Sequence, residues 1–185
     1  MPLLNDIFRT VRLSKAKKHI RNNTAVLDIG SGLDAKLLLE VSNRIKTGIG
    51  LDYRTKKFKN RKIEVRKFVV KDTLPFKDST FNHVVMLAMI EHLKHPEKVM
   101  RECHRVLKIG GSVIITCPSP AADTILELLL KLRLSFLFSD VEEASKHETC
   151  FTASQLGALA RKIGFKKIEI ECFELGLNTL LVAYK

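Results

Sequence analysis

Residues 25–34, Ala-Val-Leu-Asp-Ile-Gly-Ser-Gly-Leu-Asp, constrain this chain more than any other stretch. An apolar strand carrying one carboxylate, Asp28, runs into a glycine turn, and a helical pattern follows at 35–41. A short apolar run bounded by such a turn reads as a buried strand of an α/β unit. Glycines at a strand-to-helix turn let the backbone approach a ligand closely. Gly30-Ser31-Gly32-Leu33-Asp34-Ala35 satisfies G-x-G-x-x-A, and Asp52 falls 20 residues after Gly32. That is the spacing at which an acid grips ribose hydroxyls in nucleoside-cofactor sites.

The remaining chain repeats the alternation. Residues 5–21 predict an amphipathic basic helix with Asn5 or Asp6 as its cap, and 46–51 a second strand ending before Asp52. A short basic helix or loop is expected at 55–60, and strands at 63–70, 81–88 and 112–117. Pro96 opens a helix through Leu107, for which Gly110 and Gly111 read as the C-terminal stop. Thr152 and Gln155 form a capping-box pattern for a helix that Gly164 ends, and 166–173 and 179–184 close the chain as a strand pair. The expected architecture is α/β: one domain over 1–185, a Rossmann-like doubly wound sheet of seven strands, mostly parallel with an antiparallel C-terminal strand. Residues 1–22 form its basic N-terminal helix. The apolar stretch 121–138, within a helical insert at 119–150, reads as either a core-packed helix or a lid.

At 185 residues, with 45% hydrophobic and 28% charged content, the chain is in the globular range, and no apolar run is long enough to span a membrane. The N-terminus lacks an apolar signal core and reads as mature protein. Four dispersed cysteines without a CxxC pair argue against zinc or a disulfide framework and fit a reducing, cytoplasmic setting. The net charge of +12 sits in two segments. Residues 1–22 carry a net +5, through Arg9, Arg12 and four further cations at 15–21, and residues 54–71 a net +8. Segments 9–21 and 54–71 are therefore candidate contacts for nucleic acid, a membrane surface or a phosphorylated acceptor, or else a solvated face.

Asp28 discriminates between cofactors. It stands two residues before the first glycine, where the pyrophosphate of a dinucleotide would pass, and a carboxylate there repels it. A ligand with positive charge and no phosphate suits the position, and S-adenosylmethionine (SAM) is one. Val-Leu-Asp-Ile-Gly-Ser-Gly resembles motif I of class I SAM-dependent methyltransferases, of the small type-11-like group, and Gly-Ile-Gly-Leu-Asp52 resembles their second-strand acid. Leu-Pro-Phe-Lys-Asp-Ser-Thr-Phe-Asn (74–82), Met-Ile-Glu-His-Leu-Lys-His-Pro (89–96) and Arg-Val-Leu-Lys-Ile-Gly-Gly (105–111) are similar to later family segments, in family order.

The resemblance implies a SAM-dependent methyltransferase in which Asp28 organises the loop receiving the methionine amino group. Gly30, Ser31 and Gly32 would line the cofactor, Asp52 would bind the ribose hydroxyls and Tyr53 would lie beside the adenine. Asp72 and Thr73 would meet the adenine edge, with Leu87 and Ala88 beneath the cofactor. Asp34 replaces the third glycine of the motif, and Val69-Val70-Lys71 replaces the usual Gly-Asp-Ala.

SAM is already activated, so methyl transfer requires in-line approach, and an oxygen nucleophile also wants a base. His92 follows strand four and is the candidate by position, and His147 could reach the site from the opposite side. Each also reads as a structural or loop residue. No cluster has metal-ligand spacing. The acceptor is expected to be a small molecule, glycan or lipid-linked compound methylated on oxygen. RNA is the alternative acceptor, and a non-catalytic SAM-fold binding protein is the third reading.

Overall fold

The computed structural model describes residues 3–122, 124–125 and 148–185, with side chains from residue 6 onward. Helix α1 (Leu3–Lys17) leads into β1 (Ala25–Ile29), α2 (Lys36–Val41) and β2 (Thr47–Asp52). Strands β3 (Phe58–Lys59), β4 (Ile63–Lys67) and β5 (Phe81–Leu87) follow, then a 3-10 turn (Ile90–His92) and α3 (Pro96–Val106). The chain continues through β6 (Leu107–Pro118), α4 (Ala153–Ile163), β7 (Lys167–Phe173) and β8 (Asn178–Tyr184). One sheet holds all eight strands in the order β3-β4-β2-β1-β5-β6-β8-β7. The central pairs β4-β2-β1-β5-β6 are parallel, and β8 runs antiparallel between β6 and β7.

The doubly wound sheet is the one expected, with one more strand. Residues 58–59 pair antiparallel with 64–65, where a basic helix or loop was expected, because a two-residue edge strand leaves no alternation in the sequence. Gly110 and Gly111 do not stop α3. Its C-cap is Leu107 in extended conformation, and β6 begins there. The register jumps from Phe81↔Leu107 to His83↔Ser112, so the glycines lie in a bulge. A Cβ on Gly111 would stand 2.8 Å from the carbonyl oxygens of Asn82 and Lys108, which explains the glycine better than a cap does. Asn5 and Asp6 also fall inside α1, which starts at Leu3, and β4 ends at Lys67 instead of 70. The Thr152–Gln155 capping box and the left-handed Gly164 cap form as expected.

Pleating assigns the two faces. Leu27, Ile29, Val84, Met86, Val113 and Ile115 point toward α3 and α4, whose Met100, Cys103, Leu156 and Ala160 complete one core. Val26, Val85, Ile114 and Val182 point the other way, against Leu13 and Ala16 of α1 and Leu37, Leu38 and Val41 of α2. Burying each such aliphatic side chain contributes about 1.5–3 kcal/mol. Asp28 shares parity with Val26 and so emerges on the α1/α2 face. The buried stripe of α1 is Leu13 and Ala16, continued past the helix end by Ile20, while Ile7 is exposed. The segment after α1 is tied down by His83, whose Nε2 accepts the Arg21 N–H at 3.2 Å and whose Nδ1 meets Ser112 Oγ at 2.9 Å.

Most of the insert at 119–150, the apolar stretch through 138 included, lies outside the described residues, beyond a helical start at 120–122. Among the described residues no helix is long and apolar enough to cross a membrane.

Candidate active site

The carboxyl ends of β1, β2, β4 and β5 open on two adjoining cavities. The smaller, about 470 Å³, is lined by Asp28, the turn Gly30–Asp34, Leu87 and Ala88, with Arg9 and Arg12 of α1 across from them. The larger, about 670 Å³, is lined by Asp52, Tyr53, the 68–72 segment, Met89 and the His92–His95 turn. Gly30, Arg54 and Ala88 belong to both.

The turn between them is fixed by backbone geometry. Gly30 and Ser31 N–H both donate to the Leu51 carbonyl, at 2.8 and 3.1 Å, which ties the turn to the end of β2. Gly30 is left-handed, with φ +77°, and a Cβ there would sit 3.1 Å from the Met89 side chain. Both the dihedral and the contact therefore require glycine. Opposite it, Ala88 is also left-handed (φ +49°) and is held by its N–H to the Thr116 carbonyl at 2.9 Å. A non-glycine residue in that region costs about 1 kcal/mol or more, and it sits where β5 must turn away from the cavity.

Asp28 is 3% exposed. Burial, and next the neighbouring Asp52 carboxylate, push its carboxyl up to about 7, against the opposing charge of Arg9. Such a group gains most from a cationic partner. Asp52 is buried as well, and its two oxygens accept the N–H of Gly32 at 3.0 Å and of Arg54 at 2.8 Å. These bonds orient the carboxylate and leave each oxygen lone-pair capacity for a ligand hydroxyl. An ammonium at Asp28 and a ribose diol at Asp52 match the charged and polar ends of SAM, so the donor set fits that cofactor.

The other expected site residues divide. Tyr53 is exposed on the rim, with the Arg54 guanidinium 5.3 Å from its ring centre, and Asp72 lines the larger cavity with Lys98 at 2.7 Å. Leu87 and Ala88 line the smaller cavity. Ser31 also lines it, but its hydroxyl packs on β2, 2.7 Å from where a Gly50 Cβ would stand. Thr73 is exposed and lines neither cavity. His92 is exposed on the 3-10 turn and lines the larger cavity, whereas His147 lies outside the described residues.

Sequence reasoning missed Arg9 and Arg12 as cavity residues. Arg9 pairs with Asp34, which also accepts the Lys36 N–H at 3.4 Å. Arg12 is half-buried. Burial lowers its pKa, and the Glu91 and Glu174 carboxylates oppose that shift. The available signal was spacing: positions 9 and 12 lie one turn apart on the helix face beside buried Leu13 and Ala16.

A methyltransferase-domain family model matches residues 27–115, from β1 into β6. The chain is 26% identical over 173 residues to an uncharacterised protein of Methanocaldococcus jannaschii, covering 89% of this chain and 75% of that one. It is 26% identical over 175 residues to a ubiquinone biosynthesis O-methyltransferase of Pseudomonas aeruginosa, covering 94% of this chain and 67% of the relative. Its fold superposes, with TM-score 0.72 and 16% identity, on a chain of the Haloferax volcanii complex between the Trm112 methyltransferase activator and a methyltransferase, over 95% of this chain and 88% of that one. The methyltransferase domain over residues 27–115, the doubly wound sheet and a cavity whose carboxylates fit the cofactor together support a class I SAM-dependent methyltransferase, with S-adenosylmethionine as its cofactor.

Proposed function

We propose that the protein methylates an oxygen of a small-molecule, glycan or lipid-linked acceptor, and that the acceptor is lipophilic. The observation that carries this reading is the similarity, over 94% of the chain, to a ubiquinone biosynthesis O-methyltransferase. The ubiquinone biosynthesis relative supports oxygen as the methylated atom and a lipophilic acceptor. The apolar composition of 121–138 points the same way.

In this reading Asp28 receives the cofactor ammonium, Asp52 its ribose hydroxyls, and Arg9 and Arg12 bring positive charge to its carboxylate end. Tyr53 and Asp72 flank the base. When bound, SAM supplies a methyl carbon activated by its sulfonium. The protein aligns the acceptor and relieves its hydroxyl of a proton, and His92 is the proposed base, acting from the 3-10 turn after β5. His147 is the proposed second base, from the insert.

Calorimetric titration with SAM tests the cofactor half. Binding should be lost or severely weakened in Asp28→Ala and in Asp52→Ala, and wild-type affinity in Asp28→Ala would refute the assignment. Transfer of tritiated methyl into lipid, glycan and RNA fractions tests the acceptor half. Label in the lipid fraction is expected, and label confined to RNA would overturn the lipophilic reading.

A further inference from the structure

We propose that the rim of the larger cavity docks the protein on an anionic membrane surface. The rim comprises the 53–57 loop after β2, edge strand β3, the 67–71 segment after β4, and Lys94 beside them. Lys56, Lys57, Lys67, Lys71 and Lys94 are exposed, and none has a side-chain ion pair or hydrogen bond among the described residues. Local acids leave most of this charge unbalanced, because each is already engaged. Glu64 is taken by Arg66 and Lys59, Asp72 by Lys98, and buried Asp52 by the Gly32 and Arg54 backbone.

Apolar groups stand among these charges. Tyr53 is 54% exposed, Phe58 46% and Val69 59%. Tyr53 and Val69 line the cavity mouth, and the Phe58↔Val65 register puts Phe58 just below it. Exposed apolar side chains within a field of lysines match an interface in which rings and methyls enter the headgroup boundary while ammonium groups meet anionic lipid. The kind of cation separates this occupant from nucleic acid. All five are lysines, point charges suited to a diffuse negative layer, while the guanidinium of Arg54, the arginine of this rim, lies over the Tyr53 ring at 5.3 Å and toward Asp52 at 3.9 Å. Val69 also has no π-face for a base to stack on. The docking goes beyond the reaction assigned above and is tested without it.

Co-sedimentation of the full chain with vesicles of phosphatidylcholine, alone or mixed with phosphatidylglycerol, reads the proposal. Binding is expected only with phosphatidylglycerol present, falling with added salt. Each lysine removed should weaken it roughly fivefold, so Lys56→Glu/Lys57→Glu/Lys71→Glu should abolish it. Phe58→Ser/Val69→Ser should leave a weaker, wholly salt-sensitive association. Lys15→Glu, which alters a cation paired on α1, should bind as wild type does. Circular dichroism melting verifies that the variants are folded, and Lys→Gln versions replace any that are not. Absence of binding, equal binding to neutral vesicles, or anionic binding that survives the triple reversal would overturn the proposal. So would single-stranded RNA displacing the vesicles at equal salt, which would give the face to nucleic acid. SAM titration stays separate, since a chain that binds SAM but no vesicle loses the docking surface and keeps its cofactor.

Discussion

Helix α1 turns its cations toward the protein, while the stretch 54–71 pairs Arg54, Lys59, Lys62 and Arg66 inward and leaves Lys56, Lys57, Lys67 and Lys71 to solvent. Arg9 pairs with Asp34, Lys15 with Glu171 and Lys17 with Glu40, and Arg21 donates to the Gly110 carbonyl at 2.9 Å. Arg12 faces Glu91 and Glu174. On the rim, four lysines of 54–71 and Lys94 face solvent with no such partners among the described residues. Two stretches of similar net charge therefore do different physical work. The first latches α1 onto the sheet and walls the cofactor cavity, and the second offers charge to something outside the molecule.

The largest break in this comparison is expected at Arg12. Removing one member of a buried charge cluster costs about 3–5 kcal/mol, and the partial exposure of Arg12 reduces that to about 2 kcal/mol. Arg12→Ala should lower the melting temperature by about 4–8 °C. Lys56→Ala/Lys57→Ala should move it by no more than about 1–2 °C, since exposed unpaired charges contribute within about 0.5 kcal/mol. Equal shifts in the two variants would erase the distinction between the regions.

The next effect is a pH dependence that burial and Asp52 set and α1 moderates through Arg9. Asp28 titrates near 7 without ligand, because it is buried beside Asp52 and only partly relieved by Arg9. An ammonium partner needs the ionised form, so SAM affinity should fall up to about tenfold per pH unit below 7 and level off above it. Stability without ligand should carry the opposite sign. A raised carboxyl contributes stability that is full below about pH 4 and lost as the pH rises through 7. Arg9→Gln should shift the affinity curve to higher pH. An affinity profile flat from pH 5 to 8, measured by calorimetry, would refute the ammonium role of Asp28.

His83 gives a third, smaller effect at the far end of the same region. Burial first, then the charges of Arg21 and His19, push its imidazole down to about 4. A lowered histidine contributes stability that is present above its unfolded value near 6.5 and lost as the pH falls through 4. The stability difference between wild type and His83→Gln, from urea titrations, should therefore shrink by roughly 1–2 kcal/mol between pH 7 and 5. A constant difference would mean that folding leaves the proton affinity of the His83 imidazole unchanged, and that burial does not hold it neutral.

How much of this was legible depends on sequence distance. The glycine turn, the 152–155 capping box and the Asp28–Asp52 pair are written in local pattern or fixed spacing, and they form. The bulge at 108–111 misled because Gly-Gly after a helix has two uses, and only the carbonyls of Asn82 and Lys108 decide between them. The fate of the two basic stretches could not be read at all. The partners of α1 lie 23 to 156 residues away, at Glu40, Asp34 and Glu171, and nothing in residues 1–22 announces them. Thr73 was carried to the site by family order, yet its neighbour Asp72 alone reaches the cavity, because the chain between β4 and β5 is irregular and sets its own direction.

The smallest expected effect concerns Asp34, the residue standing where motif I usually has its third glycine. In this fold it is no obstacle to close backbone approach. Gly30 alone has both a left-handed dihedral and a tight neighbour, and a Cβ on Gly32 would still sit 3.6 Å from the nearest Asp34 oxygen. The Asp34 side chain is 51% exposed and holds Arg9 at the mouth of the smaller cavity. An exposed pair of this kind contributes about 0.2–1 kcal/mol. Asp34→Gly should therefore lower stability by roughly 0.5 kcal/mol and leave SAM affinity within about twofold, because freed Arg9 still lines the cavity and loses only its tether. Arg9→Gln should weaken SAM binding more than Asp34→Gly, since it removes the charge itself. If the glycine variant instead tightens binding severalfold, Asp34 competes with the cofactor for Arg9, and the latch on this side of α1 opens when the ligand arrives.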